Sequence, residues 1–203
     1  MEAIIGLGSA GCNIAEKFSQ YTDYDVYKID VGLKRTPRTY GLKKANSPEE
    51  FEEATGNLKR FFKNIKKDVL FIVASSGNVC GASLKILEQL KDCNISVMCV
   101  CSDPELLGEV GRMQQKLTTN VFQEYARSSV FKQVILIDNL QLENILGDMP
   151  IIGFYSRLNQ LLVPTINMVN VFNHSESIMD NIMSAHEVSR IITYGIVNFK
   201  TGE

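Results

Sequence analysis

The sequence predicts an α/β fold: a doubly wound, mostly parallel sheet with helices on both faces. Two observations carry this prediction. Apolar runs rich in β-branched residues alternate with longer helical patterns, and turns of small residues follow the first and the third of these runs. The chain has 203 residues, of which 45% are hydrophobic, so it is long enough to bury a sizeable core.

The elements follow from the periodicity of apolar residues. Strands are predicted at residues 2–6, 25–29, 69–74, 95–101 and 133–137, and helices at 11–20, 48–65, 80–91, 105–127 and 139–146. The helix at 48 has a clear start, because Ser47 is a favoured N-cap residue and Pro48 suits the first turn. From about Ile151 to Phe172 an apolar stripe predicts a long core helix, in which Pro164 predicts a kink or a break.

Composition limits the classes of function. The formal net charge of −2 gives no basic excess, so no direct nucleic-acid site is evident, and no apolar run approaches the roughly 20 residues of a membrane span. Five cysteines without a C-x-x-C pair indicate reduced thiols, and we expect a soluble, cytoplasmic protein without membrane insertion. The two histidines, His174 and His186, lack metal-ligand spacing, so no protein metal site is predicted.

The most informative motif is the glycine turn after the first strand. It has the spacing G-x-G-x-x-G-x-N and comprises Gly6, Leu7, Gly8, Ser9, Ala10, Gly11, Cys12 and Asn13. Glycines at these places permit a tight strand-to-helix turn, and the free N–H groups at the start of the helix attract phosphate. A simple βα turn without a ligand is the plainer interpretation.

A second turn of small residues follows the third predicted strand. It runs from Ser75 to Ala82 and leads into another helix. Two such turns at one edge of a sheet would place two helix N-termini around one polyphosphate. The hydroxyls of Ser75 and Ser76 either add hydrogen bonds to that ligand or cap the turn.

In their order along the chain, these turns resemble those of the nucleotide-binding domain of the tubulin/FtsZ superfamily. The opening G-L-G-S-A-G is most similar to the shorter prokaryotic, plasmid and phage members. The resemblance continues through Asp30, the loop that ends at Asn46, the segment 103–113, Ile135 to Asn139, and the long helix. It implies a nucleotide site made of Gly6, Gly8, Ser9, Ala10, Gly11, Asn13, Asp30, Ala45, Asn46, Ser75, Ser76, Gly77, Asn78, Gly81, Glu109, Arg112, Asn139, Tyr155 and Asn159.

The resemblance also implies particular roles and ligands. Tyr155 would stack on guanine, Asn159 would bind the edge of the base, and Glu109 and Arg112 would approach the sugar and the base. GTP/GDP with Mg²⁺ are the implied cofactors. The implied partner is a second copy in a head-to-tail homopolymer, with adaptor proteins as further partners. Glu187 of one subunit is the implied catalytic acid for the nucleotide of the next.

Two features of the chain depart from the family pattern. In the second turn, serines stand at the first two glycine places, and Asn78, Val79 and Cys80 replace a threonine, a glycine and a threonine. Side chains at places meant for bare backbone narrow a phosphate cradle. Near the catalytic acid, Ser184 stands where the family has a first acid, so one acid of two remains.

Three functions stay open at this point. The first is a self-assembling GTPase, with a nucleotide-binding domain at 1–150, a core helix at 151–172, and an interfacial loop with the start of an absent or truncated second domain at 173–203. The second is an NAD-binding oxidoreductase, because the glycine turn followed by Asp30 also fits the dinucleotide fingerprint. The third is a structural or regulatory pseudo-GTPase that does not hydrolyse nucleotide.

Overall fold

The computed structural model describes residues 3–146, 153–174 and 189–194 and contains one seven-stranded, entirely parallel sheet. The strand order is β3-β2-β1-β4-β5-β6-β7. The strands are β1 Ala3–Leu7, β2 Asp25–Val31, β3 Thr39–Leu42, β4 Asp68–Ala74, β5 Asn94–Cys101, β6 Gln133–Asp138 and β7 Ile191–Thr193. The predicted fold class, a parallel sheet with helices on both faces, is confirmed.

Six α-helices connect these strands. They are α1 Gly8–Lys17, α2 Pro48–Ala54, α3 Ser83–Glu88, α4 Glu109–Arg127, α5 Asn139–Leu146 and α6 Phe154–His174. Short 3-10 turns lie at Phe18–Gln20, Asn78–Ala82 and Pro104–Leu106. None of the helices in the described ranges is both long enough and apolar enough to cross a bilayer.

The sheet separates two apolar layers. On one face, α2, α3 and α4 contribute residues such as Phe51, Ile86 and Phe122 to the first core cluster. On the other face, α1, α5 and α6 contribute residues such as Ile14 and Leu162 to the second. Successive strand residues alternate between the two clusters, as the pleat requires, so every central strand is buried on both sides.

Two predicted helices are too long. The helix expected at 48–65 ends at Ala54, where Thr55 leaves the helical region and its Oγ1 donates to the Phe51 carbonyl oxygen at 2.7 Å. Gly56 follows, and the chain then turns toward β4 instead of continuing as a helix. The helix expected at 80–91 is a 3-10 turn followed by the six residues of α3.

Three further differences concern the edges of the fold. The sequence prediction missed β3 and β7, which are only four and three residues long and lie at the two edges of the sheet. The helix expected at 105–127 begins only at Glu109. Of the kink or break predicted at Pro164, the break is absent: α6 continues through this residue, whose side chain is exposed.

Candidate functional site

All strands are parallel, so the turns that follow them lie along one edge of the sheet. β1 is hydrogen-bonded to β2 on one side and to β4 on the other. From β1 the chain therefore builds outward in both directions, which makes the β1–β4 boundary the switch point where open α/β sheets bind ligands. Both small-residue turns lie at this boundary, after β1 and after β4.

The first glycine turn, residues 6–13, has a backbone that only glycine permits at several places. A Cβ on Gly6 would lie 2.4 Å from the Gly11 carbonyl oxygen, and a Cβ on Gly11 would lie 2.4 Å from the Ile72 carbonyl oxygen. Gly8 has a φ of +71°. The turn therefore holds the start of α1 directly against β1 and β4.

The N-terminus of α1 is open to a ligand. Leu7 is the N-cap residue, and no side chain caps the first N–H groups of the helix. Ser9, Ala10 and Asn13 are exposed around this end. An α-helix of ten residues with an uncapped N-terminus presents a partial positive charge and free donors at the switch point.

A carboxylate from the neighbouring strand joins this turn. The Ser9 hydroxyl donates to Asp30 Oδ2 at 2.9 Å, and the backbone N–H of Val31 donates to Asp30 Oδ1 at 2.8 Å. Asp30 lies near the end of β2, next to β1 in the sheet. The sequence-predicted residues Ser9 and Asp30 are thus in direct contact.

The second turn, residues 75–82, packs closely on its surroundings. A Cβ on Gly81 would lie 2.0 Å from the Pro48 carbonyl oxygen, so the turn contacts the start of α2 without space for a side chain. A Cβ on Gly8 would lie 3.7 Å from Val79 Cβ, which places the Val79 side chain against the first glycine turn. Gly77 is exposed, with nothing within 4 Å of an added Cβ.

The side chains of the second turn make contacts within the protein. Ser75 is fully buried, with its hydroxyl 3.1 Å from the Val100 carbonyl oxygen and 2.9 Å from Gln115 Oε1. Ser76 Oγ lies 3.3 Å from Ser102 Oγ. Ser75 therefore belongs to the core behind the turn.

Asn78 connects the second turn to the loop before α2. Its Nδ2 donates to the Asn46 carbonyl oxygen at 2.7 Å. The Asn46 N–H donates to Glu50 Oε2 at 2.8 Å, and the Glu50 N–H donates to Ser47 Oγ at 3.3 Å, which forms the N-terminal cap of α2. Ala45, the preceding residue, packs partly buried against the core. These contacts fix the loop beside the second turn.

One residue that sequence reasoning missed, Gln115 of α4, organises the second turn and the end of β5. Its Oε1 accepts from the Ser102 N–H and its Nε2 donates to the Ser102 carbonyl oxygen, both at 2.9 Å. Together with its contact to Ser75, this amide joins two loops that are distant in sequence. No sequence signal distinguishes it from a surface glutamine on a helix.

Arg112, in the first turn of α4, contacts the segment that precedes this helix. The guanidinium donates from Nη1 to the Leu107 carbonyl oxygen at 2.7 Å and to the Pro104 carbonyl oxygen at 3.4 Å. Asp103 Oδ1 accepts from the Glu105 N–H at 2.8 Å. Glu109 is exposed in the first turn of α4. Arg112 thus holds the shape of this loop, a role that sequence reasoning did not assign to it.

The remaining predicted residues lie on α5 and α6. Asn139 is the first residue of α5, is 9% exposed, and has a buried Oδ1 without a hydrogen-bond partner. Tyr155 and Asn159 lie one helical turn apart on α6, the tyrosine exposed and the asparagine buried. A buried acceptor such as Asn139 Oδ1 requires a donor, since an unpaired buried carbonyl is unfavourable.

Glu187, the predicted catalytic acid, lies outside the described residues, as do Ser184 and His186. Within the described ranges, no group of three or more histidine, cysteine, aspartate or glutamate side chains is arranged to hold a metal ion.

Three thiols in and behind the two turns have pKa values shifted by burial or by a hydrogen bond to another cysteine. Burial raises the pKa of Cys12 to about 11, although a backbone hydrogen bond with Ile29 opposes this. The Cys101 thiol hydrogen-bonds to Cys99, and this contact lowers the pKa of Cys101 while it raises the pKa of the buried Cys99. At neutral pH, Cys12 is therefore a neutral packing residue of the first glycine turn.

Comparisons with known proteins bear on the fold. No family model matches the chain, and no curated protein matches its sequence. Among solved structures, the chain is similar to an empty FtsZ dimer from M. jannaschii, with a TM-score of 0.67 and 15% identity over 88% of this chain and 56% of the other. It is also similar to the W319Y mutant of FtsZ from M. jannaschii, with a TM-score of 0.66 and 14% identity over 88% of this chain and 58% of the other.

The chain thus spans less than two thirds of the length of these FtsZ structures. At 14–15% identity, the similarity concerns the arrangement of the backbone. The strand order alone is shared with dinucleotide-binding folds, whereas the similarity to FtsZ covers most of the chain. The chain has an FtsZ-like fold.

Proposed function

We propose that this protein binds a guanine nucleotide at the carboxyl edge of the β1–β4 boundary and assembles head to tail with further copies of itself. The observation that supports this most is that two turns lie side by side at the switch point of an FtsZ-like fold, where the Val79 side chain of one turn faces Gly8 of the other. The open N-terminus of α1 supplies donors suited to phosphate.

The phosphates would bind mainly to backbone. N–H groups of Ser9, Ala10 and Gly11 start α1, and Gly77 and Asn78 form the exposed part of the second turn. The serine side chains that distinguish the second turn do not obstruct this arrangement, because Ser75 is buried and Ser76 contacts Ser102. Mg²⁺, when bound, would neutralise part of the phosphate charge.

The guanine base would bind between α5 and α6. Asn139 has an unpartnered buried acceptor that suits an N–H donor of the base or a hydroxyl of the sugar. Tyr155 is sufficiently exposed to stack on a base, and Asn159 is the amide one turn further along the same helix. Arg112 would act by holding the loop beside the sugar.

Hydrolysis is proposed to be completed across the subunit contact by Glu187. A single carboxylate that orients water suffices when backbone donors and Mg²⁺ stabilise the charge on the phosphoryl group. GTP turnover per subunit should therefore rise with protein concentration. Glu187→Ala should lose turnover by at least about tenfold and retain nucleotide binding. Turnover per subunit that stays constant with concentration would contradict the interfacial mechanism.

A second candidate function is a non-hydrolysing member that uses the same fold for assembly or regulation. The observation that favours it is the contact of Asn78 with the Asn46 carbonyl oxygen, which already connects the two loops that would surround a terminal phosphate. Assembly in the presence of GDP and GTP alike, without phosphate release, would support this candidate. Nucleotide-dependent release of phosphate would exclude it.

A thermal-shift comparison distinguishes both candidates from an NAD-binding oxidoreductase. At a ligand concentration 100 times the dissociation constant, binding adds about 2.7 kcal/mol of stability, which for a chain of this size raises Tm by about 5–10 °C. GTP and GDP should give such a shift, and NAD⁺ and NADH should give none.

A further inference from the structure

The cations of this chain are concentrated in two segments that contain no acidic residue. Residues 31–48 and 54–67 together hold ten of the 21 lysines and arginines and none of the 23 aspartates and glutamates. The rest of the chain is correspondingly acidic. A net charge of −2 therefore conceals two strongly basic stretches.

The fold brings parts of these two segments together. The loop between β2 and β3 and the chain before β4 enclose an open cleft of about 530 Å³. Its lining residues are Arg35, Thr36, Pro37, Arg60, Phe61, Lys63 and Asn64. Three cations, a hydroxyl and an amide line this basic cleft, and no carboxylate does.

The cations of the basic cleft are available to a ligand. Among the described residues, ion pairs are made by Lys28, Arg38 and Arg127, and none of these lines the cleft. Arg35, Arg60 and Lys63 are exposed. A group of three exposed cations without counter-charges repels itself, and an anionic ligand relieves this repulsion.

Aromatic rings hold the floor of the cleft in place. The guanidinium carbon of Arg35 lies 5.2 Å from the centroid of the Tyr40 ring, and the Tyr40 ring lies 5.7 Å from that of Phe61. Phe61 is buried and also contacts Tyr27 at 5.5 Å. Arg35 is thus positioned by stacking, which reduces the entropy lost when it binds an anion.

The basic cleft is separate from the proposed nucleotide site. Arg35 to Pro37 precede β3, and Arg60 to Asn64 precede β4, so the cleft lies near the amino ends of these parallel strands. The first glycine turn follows the carboxyl end of β1. The two regions therefore lie toward opposite edges of the sheet.

We propose that the basic cleft binds the phosphate backbone of duplex DNA without reading its sequence. Arginine and lysine side chains with neighbouring hydroxyl and amide donors are the groups that contact phosphates in such interfaces. A lipid surface is less well matched, because none of the large hydrophobic side chains exposed on the described surface lies between residues 31 and 67 to enter a bilayer. The proposal does not depend on the guanine-nucleotide site.

Fluorescence anisotropy with a labelled 30-base-pair duplex of arbitrary sequence tests this directly. With three phosphates neutralised, the affinity of the unmodified protein should fall about 40-fold between 50 and 200 mM salt. The triple variant Arg35→Gln/Arg60→Gln/Lys63→Gln should bind at least about tenfold more weakly at 50 mM salt, with a log–log salt slope smaller by about 3.

A matched control keeps the same change in net charge. Lys91→Gln/Lys116→Gln/Lys132→Gln removes three exposed lysines outside the cleft and should bind DNA within about twofold of the unmodified protein. The double variant Arg60→Gln/Lys63→Gln leaves the stacked Arg35 intact and should reduce the slope by about 2. Circular dichroism and Tm confirm that each variant is folded.

Three outcomes would overturn the proposal. The first is no binding of the duplex by the unmodified protein at 50 mM salt. The second is equal loss of affinity in the triple variant and in its matched control. The third is cleft-dependent binding to phosphatidylglycerol vesicles, or cleft-dependent self-association in sedimentation, with no binding of DNA.

Discussion

The two turns at the β1–β4 boundary lie side by side but are held by different contacts. In the first glycine turn, Gly6 and Gly11 approach backbone oxygens so closely that no side chain fits, and the helix start remains uncapped. In the second turn, Ser75 and Asn78 carry side chains that hydrogen-bond to Gln115 and Asn46. The first turn is held by backbone packing at both glycines, whereas the second combines one such contact, of Gly81 against the Pro48 carbonyl oxygen, with side-chain hydrogen bonds.

The individual positions of the two turns therefore differ in how well they tolerate substitution. Backbone contacts at 2.4 Å from an added Cβ leave glycine as the only fitting residue, whereas hydrogen bonds between side chains can be replaced one at a time. A glycine-rich loop can therefore lose glycines and keep its path, provided that the new side chains find partners inside the protein, as Ser75 does.

The largest expected effect comes from filling the first turn. Gly11→Ala forces a Cβ against the Ile72 carbonyl oxygen at 2.4 Å and should reduce the free energy of unfolding by about 3 kcal/mol, since overpacking against backbone cannot relax easily. In the second turn, the Cβ of Gly77→Ala meets open space, so this variant should change the free energy of unfolding by less than about 0.5 kcal/mol. Urea denaturation of both variants gives the comparison; equal effects would show that position 11 is no more restricted than position 77.

The next effect concerns the amide that supports the second turn. Gln115→Ala leaves the Ser102 N–H and carbonyl groups without their partners and should cost about 2 kcal/mol of stability. Lys116→Ala, an exposed neighbour on the same helix, should cost less than about 0.5 kcal/mol. Thermal unfolding followed by circular dichroism measures both. A Gln115 variant as stable as the Lys116 variant would mean that its hydrogen bonds do not hold the turn.

A smaller effect is expected where the second turn meets the loop before α2. Asn78→Ala removes one exposed hydrogen bond to the Asn46 carbonyl oxygen and should lower stability by about 0.5–1 kcal/mol. Its local effect should be clearer, with faster hydrogen exchange of amides 43–47 and little change in the exchange of β1. Unchanged exchange at 43–47 would show that the α2 capping contacts alone hold this loop.

The smallest effect is chemical and lies in the first turn. Burial raises the pKa of Cys12 to about 11, so its thiol stays neutral to high pH. The associated stability is fully present below the usual thiol pKa and is lost as pH rises from about 9 to about 11. At pH 8, iodoacetamide should alkylate Cys12 roughly a hundredfold more slowly in the folded than in the urea-unfolded protein. In Cys12→Ala, this alkaline loss of stability should be reduced.

The central elements of the fold were predictable because their signals are local. β1, β2, β4, β5 and β6 are buried runs of apolar residues, and each was found to within about two residues. The edge strands β3 and β7 were missed because their three or four residues carry only a short pattern. α2 was overextended because the helical pattern of apolar residues continues past Gly56 although the chain does not.

The candidate site divides in the same way. Glycine spacing predicts the turn at Gly6 to Asn13, because positions where the backbone packs this closely require glycine, and glycine is visible in the sequence. The contacts of Gln115 and Asn78 join residues that lie 13 to 40 positions apart, so no local sequence pattern predicts them. Arg112 was predicted to approach the sugar and the base; its Nη1 also donates to the carbonyl oxygens of Pro104 and Leu107, a role that no sequence pattern indicates.

The measurement that most directly tests the proposed site is an equilibrium titration with a fluorescent GDP analogue. We expect saturable binding of one nucleotide per chain, displaced by GTP and GDP and not by NAD⁺, with affinity reduced at least about tenfold in Asn159→Ala. Absence of saturable binding at millimolar analogue, or displacement by NAD⁺ as effective as by GTP, would contradict it.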